Sequence, residues 1–141
     1  MKNWKKAGIF AAGLSALMLS TTATSQEQVI TGKSDLVCAS QDIMACVDGG
    51  VCADGTASSF DVPPFMFVDV KKKQVRSVNE EGTSVTSAVR DRDLTEKTVI
   101  LQGFENHKGW TMGIDRMDGS FTLSATGPDV NFMIMGACTE L

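Results

Sequence analysis

Apolar residues in the C-terminal third of the chain fall on every other position. Trp110, Met112 and Ile114 alternate with Thr111, Gly113 and Asp115, and the alternation resumes through Phe121, Leu123 and Ala125 and again through Phe132 and Ile134. A period of two marks strands with one buried face. Asp118-Gly119, between the first two runs, is a dipeptide preferred in two-residue type I′ turns. Such a turn sets Ile114 opposite Leu123, Met112 opposite Ala125 and Arg116 opposite Phe121. A turn at Pro128-Asp129 sets Ala125 opposite Phe132, Leu123 opposite Ile134 and Phe121 opposite Gly136, with Cys138 beyond on the same inner face. Period and turn chemistry agree across three strands, which predicts a meander.

Upstream the segments are shorter. Residues 36–41, with Cys38, read as a strand, and over 40–46 either Ser40 caps a single helical turn, the preferred reading, or the strand continues. In Val47-Asp48-Gly49-Gly50-Val51 the glycines take φ > 0 without steric cost, so a hairpin loop at 48–50 places Val47 opposite Val51 and Cys46 opposite Cys52. Residues 53–64 are turn-rich, and Pro63-Pro64 favours an extended entry to a strand over 65–70. Phe65 and Phe67 then face one way, and Met66, Val68 and Val70 the other. A two-residue loop at Lys72-Lys73 leads to a strand over 74–78 and sets Asp69 opposite Arg76, as a surface pair worth under about 1 kcal/mol. Residues 79–87 read as a polar loop. The alternating charges of Arg90-Asp91-Arg92-Asp93 suit a solvated edge or loop better than an anion site. Val99-Ile100-Leu101 is a central strand, and residues 105–109, with His107, are the next turn. About eight strands with almost no helix predict an all-β fold, a small antiparallel barrel or sandwich.

The N-terminus reads as an address. Lys2, Lys5 and Lys6 precede an apolar run over 9–19, and Ala23 and Ser25 suit cleavage before Gln26. This is the pattern of a secretory signal peptide over 1–25, too short to span a membrane. Residues 26–34 read as a flexible leader and 35–141 as a single β domain, in the periplasm or secreted. The signal carries three of the thirteen basic residues and none of the seventeen acidic ones, so the remainder has a net charge of −7 against −4 for the whole chain. An acidic surface disfavours nucleic acid and anionic membranes as partners and favours an envelope protein with a basic surface. No stable membrane insertion is expected after cleavage.

Export also decides how the four cysteines read. An even count in an oxidising compartment implies two disulfides. The opposed positions of the 48–50 hairpin bring Cys46 to Cys52 at bonding distance, and Cys38–Cys138 follows by elimination, tying the first strand to the last. Zinc is the weaker reading, since no CxxC pair is present and His107 is remote. Eight methionines raise thioether coordination of copper. Met112, Met133 and Met135 fall within strands, however, and Met1 and Met18 within the signal, so core packing is the better account. No cofactor is expected.

Cys38, Cys46 and Cys52, the Pro64-Phe65 entry with Asp69, Leu101-Gln102-Gly103, Gly109-Trp110 and Gly136-Ala137-Cys138-Thr139 together resemble uncharacterised small exported proteins of Proteobacteria. That likeness carries no activity with it. In architecture alone the chain is similar to periplasmic lysozyme inhibitors, small β-barrels with a disulfide to the last strand. Their Ser-Gly and Tyr-rich segments have no counterpart, and the chain holds no tyrosine, so no inhibitory residue carries over. No GxSxG, HExxH, P-loop or GxGxxG pattern is present, and His107 has no signalled nucleophile. The expectation is a non-catalytic module. Foremost it would bind a protein, inhibitor-like, through loops 79–87 and 105–108 at one barrel end. The alternatives are an apolar molecule held among Trp110, Met112, Phe121 and Phe132, which read better as plain core in so narrow a barrel, and a structural or stress component of the envelope.

Overall fold

A computed structural model describes residues 30–47, 50–79 and 81–141. The expected signal peptide and the start of the leader lie outside these residues, as does the tip of the first hairpin. Nine strands follow in order: β1 (Leu36–Val47), β2 (Val51–Gly55), β3 (Phe65–Asp69), β4 (Gln74–Val78), β5 (Ser84–Leu94), β6 (Thr98–Glu105), β7 (Lys108–Asp115), β8 (Ser120–Thr126) and β9 (Val130–Glu140). A single 3-10 turn, Ala57–Ser59, lies between β2 and β3. Among the described residues no helix is long and apolar enough to cross a membrane.

Pairing is antiparallel throughout, and β1 pairs with β9 along its whole length, so β1 and β3–β9 close into an eight-stranded barrel. The expectation of a barrel or sandwich thus resolves to a barrel. The other edge of β1 changes partner midway. Leu36–Ala39 pair with β3, whereas Ile43–Val47 pair with β2, which projects as a hairpin outside the barrel wall. The expected turn over 40–46 is instead continuous strand. Gln41 is an extra residue opposite β9, since Ser40 pairs with Gly136 and Asp42 with Met135. This bulge lets Leu36 and Cys38 on one side of it, and Ile43 and Ala45 on the other, all face inward. Gly136 belongs to the same device. A Cβ there would lie 1.9 Å from the Ala39 carbonyl oxygen, so only glycine admits the close approach.

Both expected disulfides are present, Cys38–Cys138 inside the barrel seam and Cys46–Cys52 across the projecting hairpin. The β8–β9 register matches the expectation, with Leu123 opposite Ile134 and Ala125 opposite Phe132. Two other hairpins differ by two residues. Ile114 faces Phe121, not Leu123, because the β7–β8 loop has four residues, 116–119. Gly119 alone takes positive φ there, whereas a type I′ turn needs it at both central positions. Likewise Asp69 faces Gln74, and Arg76 faces Phe67 and stacks on its ring at 4.7 Å. Asp69 pairs with the Lys72 ammonium at 3.1 Å and accepts the Lys72 backbone N–H at 2.8 Å. That N–H in particular holds its carboxyl below the ordinary aspartate range. Because a slip of two preserves the facing of every side chain, the inner faces are those the sequence pattern indicates.

The charged stretch 90–93 is strand, not loop, but it is the solvated edge the pattern suits. Here β5 runs on past its last β4 partner, Ala88, and pairs with β6 alone, around a bulge at Arg90, with every residue exposed. The expected loop over 79–87 is shorter than that, as β5 begins at Ser84. Met112 and Met66 are core residues, but Met133 and Met135 are 43% and 37% exposed on the outer face, contrary to their expected role in core packing.

The described part of the expected flexible leader is also packed structure. Ile30 is fully buried and closes one end of the barrel. Its N–H donates to the Arg116 carbonyl at 2.8 Å, and Arg116 Nε donates back to the Ile30 carbonyl at 2.9 Å. Arg116 Nη1 also donates to the Thr95 carbonyl at 2.6 Å. Glu140 accepts the N–H groups of Thr31 and Gly32, and Arg92 donates to the Gly32 carbonyl. A single apolar residue thus supplies the plug, and one backbone hydrogen bond together with the side chains of Arg116, Arg92 and Glu140 holds the backbone of 30–32 in place.

Candidate functional site

The interior divides along the barrel axis. Toward the plugged end Leu36, Cys38, Val68, Val99, Leu101, Met112, Ile114 and Phe121 are at most 3% exposed and fill the lumen. Toward the other end Met66, Val75, Trp110, Leu123 and Ile134 still point inward but line a cavity of about 430 Å³. Eight strands enclose a lumen that side chains just fill or that holds one small molecule. Here the lower half follows the first case and the upper half the second.

Sequence and register explain the void. Small side chains hold inward positions around the mouth: Ala125 on β8, Ser77 on β4 and Ser87 on β5. The larger residues beside them, Trp110 and Phe132, lie against the wall. Trp110 is held flat by two contacts. Its indole covers Gly103, where a Cβ would come within 2.3 Å of the ring, and its Nε1–H donates to Ser87 Oγ at 2.8 Å. Ser87 is the single buried polar side chain among the described residues. Its oxygen accepts from Trp110, so its own O–H remains to donate into the cavity.

The wall is therefore asymmetric. Leu123, Ala125, Phe132 and Ile134 on β8 and β9, with Met66 on β3, form an apolar side. Ser77 and Ser87, carried on the neighbouring strands β4 and β5, form a narrow polar side. Phe60 and Val62, from the segment between β2 and β3, cover part of the mouth. Glu105, Asn106 and Lys108 form the rim at the β6–β7 turn. Asn106 and His107 both hold positive φ, 46° and 63°, so this is a two-residue turn of the type I′ kind without glycine, tighter than the expected 105–109 loop.

The sequence-indicated ligand residues separate here. Trp110 and Phe132 line the cavity, while Met112 and Phe121 lie below it in the filled half. The two candidate loops come together, since Asn79, at the start of the first, and the 105–108 turn border the same mouth. Phe60, Val62, Ser77 and Ser87 were not legible as lining residues. The first two sit in a segment without periodicity. The serines could have been found from the alternation of Val75-Ser77 and of Val85-Ser87-Val89, which places them on an inner face.

Chemically the site offers contact area and two hydroxyls. The four cysteines are all in disulfides, and no group of three His, Cys, Asp or Glu side chains is placed to hold a metal among the described residues. Comparison with family models, with curated proteins and with solved structures matches the chain to none of them. The reading of the site therefore rests on its geometry.

Proposed function

We propose that the protein is an exported, non-catalytic binding module that holds a small, mainly apolar molecule in the open half of its barrel. The observation that carries this reading is the cavity of about 430 Å³ above a filled floor. Its volume falls within the range of roughly 300–1,000 Å³ typical of small-molecule sites, and a largely apolar lining with a few convergent polar groups is their usual chemistry. The apolar side would take the body of the ligand by burial. Ser77 and Ser87 would meet a hydroxyl or carbonyl on one edge of it. The basic and apolar N-terminal stretch and the two disulfides support a periplasmic or secreted location.

A second reading has its own observation. Asn79 and the 105–108 turn border the same mouth, and a protein partner with a basic surface would engage them there on an acidic chain. One experiment separates the two. The apolar fluorophore N-phenyl-1-naphthylamine is titrated into the mature protein and into Ala125→Trp, which fills the cavity from β8 and leaves the rim loops unchanged. Saturable binding of one equivalent, weakened at least tenfold in the variant, is the expected result. Absence of saturable binding to the folded wild type would overturn the ligand reading.

A further inference from the structure

We propose that Met44, Met133 and Met135 form a surface site for a soft monovalent cation, Cu(I). The bulge at Gln41 fixes the arrangement. Beyond it Ile43 and Ala45 face the lumen, so Met44 faces outward. Met44 lies directly opposite Met133, and Met135 lies two residues further along β9 on the same outer face, opposite Asp42. Directly opposed Cβ atoms are about 5 Å apart, and neighbours two along a strand about 7 Å. A methionine side chain has three rotatable bonds, so the three thioether sulfurs can converge on one point above the sheet.

Nothing in their surroundings calls for apolar side chains there. Met133 and Met135 are 43% and 37% exposed, and their partners on β8 are Ser124 and Thr122, both polar. A thioether is a soft, uncharged donor that selects Cu(I) over the hard cations, which need several oxygens, and over zinc, which takes imidazole and thiolate. Asp42, opposite Met135, adds a negative charge beside the three neutral donors. Both disulfides are closed, so no thiolate among the described residues competes for the ion. The site lies on the outside of the β1–β9 seam and stands independently of the cavity.

The test uses the mature, disulfide-intact protein labelled with 13C at the methionine methyl groups. Ag(I), a redox-inert analogue of Cu(I), is added and the methyl resonances followed. The expected result is a shift of the Met44, Met133 and Met135 methyls together, saturating at one equivalent, with the buried Met66 and Met112 unmoved. Met117, 46% exposed but alone in the β7–β8 loop, is the internal control for unselective thioether binding. In parallel, anaerobic competition with the chromophoric chelator bicinchoninate should show Cu(I) withdrawn by the wild type. Met133→Leu/Met135→Leu should withdraw it at least tenfold less strongly. Leucine keeps the apolar area, so a docking role of this face would survive the exchange whereas a metal site would not. Equal shifts at Met117, or undiminished Cu(I) uptake by the double variant, would overturn the proposal.

Discussion

Ser87 carries more weight than its size suggests. It accepts the Trp110 indole N–H at the wall of the cavity, and its removal leaves that donor buried without a protein partner. Ser87→Ala should therefore destabilise the fold by about 1–3 kcal/mol, read as a lower midpoint in urea at unchanged slope. An effect within about 0.5 kcal/mol would mean that Trp110 finds water or another acceptor. At this scale much of the inside was legible from alternation, including Trp110, Met112, Ile114, Leu123 and Ile134. Ile30 was not, because one apolar residue in a polar stretch has no period to betray it. Nor were the roles of Gly103 and Gly136, which depend on a ring and a carbonyl brought near by other strands.

Hairpins show which element-level signals are sufficient. The Asp-Gly-Gly segment placed Cys46 opposite Cys52, and Pro128-Asp129 gave the β8–β9 register, both as observed. Asp118-Gly119 and the lysine tip misled by two residues, because a turn dipeptide does not reveal whether its loop has two residues or four. In the structure Asp118 accepts the Ser120 N–H at 2.8 Å, which holds its carboxyl below the ordinary aspartate range and ties down the end of the longer loop. The bulges at Gln41 and Arg90 were invisible to a period-two reading, which expects one phase per strand. The two disulfides differ in what they constrain. Cys38–Cys138 closes a separation of 100 residues and Cys46–Cys52 one of 6. In the chain-entropy model these are worth about 4.7 and roughly 2.4 kcal/mol. Cys38→Ala/Cys138→Ala should thus lower stability by about twice as much as Cys46→Ala/Cys52→Ala in denaturant melts. Equal losses would contradict a fold whose seam, rather than its projecting hairpin, depends on the crosslink.

For the whole molecule, the pairing of β1 with β9 turns a meander into a container. The linkage was legible from two cysteines at opposite ends of the domain, but the choice between barrel and sandwich was not. Closure depends on how far each strand coils, and the bulges that permit it leave no mark in the hydrophobic pattern. The same holds for the void. Its existence follows from where Ala125, Ser77 and Ser87 meet around the mouth, a coincidence of three registers. The plug at Ile30 and Arg116 gives the barrel a floor, so among the described residues the cavity opens at the opposite end. The most direct measurement is an amide and indole N–H correlation spectrum of the mature protein titrated with N-phenyl-1-naphthylamine. The account predicts saturable shifts at the Trp110 indole and at Ser77, Ser87, Ala125 and Phe132, with the amides of Ile30 and Arg116 at the floor unmoved. Shifts confined to the outer face, or no shift at the Trp110 indole at saturation, would contradict it.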